Sequence, residues 1–73
     1  MEKVVIIENN SDYLCEIKSI LRDTFFNSQI LTIFNYRLSD DIISDNTKKL
    51  YIIEVDRNKL FLNTIERIRK YDW

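Results

Sequence analysis

A chain of 73 residues with 11 basic and 12 acidic side chains has room for one small core, and its net charge of −1 lacks the basic excess of a dedicated nucleic-acid surface. An apolar share of 45 % sets it apart from disordered chains, while no apolar run approaches the roughly 18 residues that cross a bilayer. Gly, Pro and His are absent and Cys15 stands alone, which excludes Gly-rich phosphate loops, disulfide frameworks and His- or Cys-based metal clusters.

Taken in order, Lys3–Glu8 reads as a first strand, with Val4, Val5, Ile6 and Ile7 running apolar into Glu8, Asn9 and Asn10. An uninterrupted run of β-branched residues suits a strand covered on both faces. A turn follows, in which Ser11 or Asp12 is expected to cap a helix over about Asp12–Phe25. On that helix Leu14, Ile17, Ile20, Leu21 and Phe25 form an apolar stripe, and Phe26 falls off it to pack locally. Cys15 reads as a half-buried thiol in the same helix. Asn27 and Ser28 break the pattern before a second strand, Gln29–Phe34.

A loop over Asn35–Leu38 leads to Ser39, the expected cap of a short helix opened by Asp40 and Asp41 and anchored by Ile42 and Ile43. The third strand, Leu50–Val55, is the second apolar run that ends among acids, here Glu54 and Asp56. A last helix over about Lys59–Tyr71 buries Leu60, Phe61, Thr64, Ile65 and Ile68 and turns Glu66, Arg67, Arg69 and Lys70 to water. The expectation is an α/β fold of order β-α-β-α-β-α. Right-handed crossovers make the strands parallel neighbours in a three-stranded sheet of order 2-1-3, with helices on both sides of it. Ligand chemistry in such sheets gathers beyond the carboxyl ends of the strands, where Glu8 and Glu54 fall.

Three segments carry a resemblance: Val5-Ile6-Ile7-Glu8-Asn9-Asn10, Leu50-Tyr51-Ile52-Ile53-Glu54-Val55-Asp56, and Ile65-Glu66-Arg67-Ile68-Arg69-Lys70-Tyr71-Asp72. Together the chain resembles the first half of the receiver domain of bacterial two-component response regulators, a flavodoxin-like fold. Within that family it looks most like the LytTR, accessory-gene-regulator-like branch. The resemblance implies that Glu8 and Asn9 stand where the family's acidic pair helps to hold Mg²⁺, and that Glu54 stands at the position of the phosphoaccepting Asp and completes that metal site. Asn9 removes a charge from this site, which weakens Mg²⁺ binding. The extra methylene of Glu54 displaces its carboxylate from where in-line phosphoryl transfer would be arranged. The resemblance thus implies a degenerate, truncated receiver that is not phosphorylated normally and meets a histidine kinase or another receiver.

A second reading is a non-enzymatic interaction module. Strand three would be an open sheet edge, with Ile52, Ile53, Val55, Leu62 and Trp73 leaving apolar surface for self-association or for a complementary C-terminal half. Neither reading involves an enzyme, since no nucleophile–base pair is present. With no signal-peptide pattern, the expected setting is the cytoplasm, without direct contact to nucleic acid or membrane.

Overall fold

Strand β1 spans Lys3–Ile7 and is the centre of the structure, a computed structural model that describes residues 2–71. Val4, Val5 and Ile6 have no exposed surface and Ile7 almost none. Helix α1 covers Ser11–Thr24, strand β2 Gln29–Ile33, helix α2 Asp40–Ser44, strand β3 Lys49–Ile53 and helix α3 Leu60–Tyr71. The strands form a parallel sheet of order β2-β1-β3, the expected α/β topology with β1 between its sequence successors. Val5 lies level with Leu31 and Tyr51, and Ile7 with Ile33 and Ile53.

Because strand side chains alternate faces, β1 feeds two cores. Val5 and Ile7 pack with Leu38, Ile43 and Ile68, joined by Tyr36 and Ile53, under α2 and α3. Val4 and Ile6 pack with Leu14 and Leu21, joined by Ile17, Phe25, Leu50 and Ile52, under α1. The helices therefore form layers on both sides of the sheet. Arg67 Nη2 ties α3 to the start of α2, donating to the Leu38 carbonyl at 2.6 Å and pairing with Asp40 at 2.8 Å. Arg67 is thus a half-buried tie, where sequence periodicity assigned it to water.

The helix ends show how a chain without Gly makes turns. Asn10, not Ser11 or Asp12, caps α1, its side-chain oxygen accepting from the Asp12 and Tyr13 N–H groups at 3.0 and 3.1 Å. Ser39 caps α2 as expected. Asn35, Tyr36 and Lys59 take left-handed φ values of 55°, 57° and 60°, conformations in which a Cβ crowds the backbone. The α1 stripe is narrower than its spacing implied: Leu14 and Leu21 are buried, but Ile20 is 67 % exposed. Phe26 makes no local cover and is 79 % exposed, Cys15 lies exposed on α1, and Leu60 is also open to solvent. Val55 and Leu62 are exposed as expected, whereas Ile52 and Ile53 are half-buried and Trp73 lies outside the described residues.

At the amino edge of the sheet, Asp45 joins α2 to β3. Its carboxylate pairs with Lys3 at 2.5 Å and Lys49 at 2.8 Å, and accepts the Thr47 N–H at 2.9 Å. The side chain of Lys49 is only 3 % exposed and also donates to the carbonyls of Ile43, Asp45 and Thr47. Lys3 first, then Lys49 and Thr47, hold the Asp45 carboxyl far below the usual carboxylate range.

Candidate functional site at the carboxyl edge of the sheet

β1 and β3 end level, at Ile7 and Ile53, so Glu8 and Glu54 leave the sheet side by side. The Glu54 N–H donates to the Ile7 carbonyl at 2.8 Å, which carries the pairing one residue past the strand. Glu8 is buried at 9 % exposure. Glu54 is half-buried, and its Oε2 is enclosed without a hydrogen-bond partner among the described residues. An acceptor left in that state costs about 1–3 kcal/mol of desolvation, more when charged.

The loop after β2 closes over this edge through contacts that the sequence pattern did not reveal. The Asn35 N–H donates to Asn9 Oδ1 at 2.7 Å, and the Tyr36 hydroxyl donates to the Glu54 carbonyl at 2.5 Å. One strap therefore links the strand-end turns of β1 and β3 through two consecutive left-handed residues. The Tyr36 hydroxyl is pushed up to about 12, by burial first and then by the negative charges of Asp56, Glu54 and Glu8 around it. Asn35 was the one visible cue, since Asn tolerates the left-handed region better than most residues. Nothing in the sequence pairs Tyr36 with Glu54.

Asp56 lies in the same group but faces α3. Its Oδ2 accepts the Leu60 N–H at 3.1 Å and its Oδ1 the Phe61 N–H at 3.0 Å. Burial raises its pKa, but the Phe61 and Leu60 N–H groups outweigh that effect and lower it overall. A carboxylate at the positive end of a helix is favoured in its charged form.

The structure brings Glu8 and Glu54 together, while Asn9 turns its side-chain oxygen to Asn35. These residues meet the needs of Mg²⁺ in part. Glu54 brings an unpartnered oxygen, but the Asn9 oxygen already has a donor and Asp56 serves α3. Among the described residues no three His, Cys, Asp or Glu side chains gather in metal-binding fashion. Among them, too, no helix is long and apolar enough to cross a membrane. No family model, curated protein or solved structure matches the chain.

Proposed function

We propose that this chain is a receiver-like signalling module of the cytoplasm, non-enzymatic and not phosphorylated in the ordinary way. It offers the carboxyl edge of its sheet to a histidine kinase or to another receiver. The observation that carries this reading is the edge itself. Two strand-end acids emerge side to side, and Glu54 stands at the position that the family resemblance gives to the phosphoacceptor. The Tyr36–Asn35 strap holds that edge in one arrangement, which suits recognition better than a reaction needing access to the Glu54 carboxylate. Glu8, Asn9 and Glu54 bind Mg²⁺ weakly at most, because hard cations call for near-ideal octahedral oxygen ligands and Asn9 adds no charge.

The test is incubation with a small phosphodonor and Mg²⁺, followed by intact mass and amide NMR spectra. The expected result is no phosphoryl adduct and only small shifts at Glu8, Asn9 and Glu54. A stoichiometric adduct on Glu54 or Asp56 would sink the proposal.

A second reading rests on a different observation. Every residue of β3 is half-buried, whereas Val4–Ile7 of β1 are fully buried. Parallel strands are ordinarily covered on both faces, and β3, like β2 at the other margin of the sheet, is a half-covered edge strand. On this reading the chain is an interaction module that docks through the β3 edge.

A further inference from the structure

The direction of the β3 backbone groups follows from its contacts with β1. The Glu54 N–H donates to Ile7, and the Lys48 carbonyl accepts from Lys3. In a parallel pair, alternate residues turn their N–H and C=O to the same neighbour. Leu50 and Ile52 therefore face β1, and Lys49 and Ile53 turn their N–H and C=O to the open edge. No Pro, bulge or mid-strand charge blunts this edge, and the side chains between its ends are Leu, Tyr and Ile.

We infer that β3 pairs with β3 of a second copy, antiparallel, about a two-fold axis beside Tyr51, to make one continuous sheet. The charges at the strand ends select this arrangement. In that register Lys49 lies opposite Ile53 of the second copy, and their outward backbone groups meet. Lys48 lies opposite Glu54 of the second copy, and the symmetry repeats each contact. Lys48 is exposed at one end of the strand and Glu54 is half-buried at the other, so the edge carries opposite charges at its two ends. A parallel pairing would set Lys48 against Lys48 and Glu54 against Glu54. The β2 edge offers no such selection, because Ser28 and Gln29 at one end and Phe34 and Asn35 at the other are uncharged.

Apolar contact follows the same register. Leu50 and Ile52 sit on the α1 side of the sheet, half-buried. Each lies opposite the other type across the axis as a non-hydrogen-bonded pair, where side chains approach most closely. The area is of the right order. The chain exposes 5460 Å², against about 4,800 Å² for a compact monomer of its mass, an excess of about 660 Å² that falls below the ~800 Å² each partner gives to a standard interface.

This inference rests on the edge-docking reading and names its partner as the chain itself. It is tested by sedimentation equilibrium and amide exchange on the full chain. Wild type is expected to dimerise. Lys48→Glu and Glu54→Lys are each expected to weaken the dimer about tenfold or more, because each reverses a contact that the symmetry doubles. The double variant is expected to restore it, with far-UV circular dichroism confirming the fold of every variant. In the wild type, exchange at the Lys49 and Ile53 amides should slow on dimerisation, while Leu50 and Ile52 stay protected throughout.

A monomer at millimolar concentration overturns the inference. So does a dimer indifferent to the reversals, which would use another surface. Neither outcome touches the phosphodonor result, so failure here is distinguishable from failure of the receiver-like reading.

Discussion

Replacing Tyr36 by Phe removes one hydroxyl from the carboxyl edge and isolates its contribution. In the folded chain that hydroxyl donates to the Glu54 carbonyl at 2.5 Å, with Asp56, Glu54 and Glu8 close enough to disfavour tyrosinate. At neutral pH the loss of one hydrogen bond should cost about 0.5–1.5 kcal/mol. The pH dependence is more diagnostic. The folded pKa is raised to about 12 from an ordinary value of 10.0, so the folded state keeps its proton where the unfolded state has lost it. The contribution is therefore complete below pH 10.0 and lost as pH rises toward about 12. A shift of that size corresponds to about 2.7 kcal/mol at most, and the water around the ring reduces it to about 1 kcal/mol.

The assay is urea unfolding of wild type and Tyr36→Phe from neutral pH to the alkaline limit of reversible folding. Lysines and the other tyrosines titrate in the same range, so the quantity to read is the difference between the two proteins. That difference should be constant below pH 10.0 and should shrink above it. Parallel curves across the whole range would refute the placement of the hydroxyl among these acids. Asp56→Asn gives a second check, since removing the Asp56 charge should lower the Tyr36 titration midpoint seen by tyrosinate absorbance.

Asn10→Ala should destabilise the chain by about 1 kcal/mol, by removing the acceptor that caps α1, while Ser11→Ala should be near neutral in the same denaturant assay. Leu21→Ala should cost about 2–5 kcal/mol, whereas Ile20→Ala, on the exposed side of the same helix, should change stability by less than about 0.5 kcal/mol. Asp45→Asn should flatten the acid limb of the stability curve. Its folded pKa lies below the ordinary 3.8, so its contribution is present above that value and is lost as pH falls through and below it. Lys59→Gly should raise the unfolding midpoint slightly, by about 0.5 kcal/mol, because Gly accepts φ of 60° and partly offsets that gain with its own chain entropy.

The fold was legible because its main signal is redundant. Two uninterrupted apolar runs, Val4–Ile7 and Leu50–Ile53, call for burial on both faces, and alternation with helical stripes leaves a parallel sheet as the consistent arrangement. Handedness then places β1 in the middle. Periodicity was less informative on how much of each stripe the sheet can cover. α1 lies over a sheet of three short strands, so Leu14 and Leu21 reach the core while Ile20, at the stripe's margin, extends past it. The placement of Glu8 and Glu54 was also legible, because strand ends in parallel register are level. The Tyr36–Glu54 contact was not. It joins residues 18 positions apart through a backbone carbonyl, which leaves no trace in side-chain pattern.

The two ends of the sheet differ in how their charges are satisfied, and that contrast bears on function. At the amino edge, Asp45 is closed in by Lys3, Lys49 and Thr47, and the Lys49 ammonium has three carbonyl partners besides. Asp45, Lys3 and Lys49 thus find their counterparts in one another, as a purely structural cluster requires. At the carboxyl edge the charges of Asp56, Glu54 and Glu8 all act on a neutral Tyr36 hydroxyl, no ion pair to these acids is formed among the described residues, and one Glu54 oxygen is enclosed without a donor among them. A fold selected for stability alone would neutralise or remove such a group, since burying it unpaired is costly. On the proposed reading, a partner docked at this edge brings the positive charge that these acids lack. A lysine presented by a second copy and a basic surface on a signalling partner meet that need through the same chemistry. Replacing Glu54 by Gln separates this account from simple misplacement. If the carboxylate awaits an external cation, the variant should be more stable as a monomer and weaker in every complex that uses this edge. A variant that is less stable and associates unchanged would assign Glu54 an internal role.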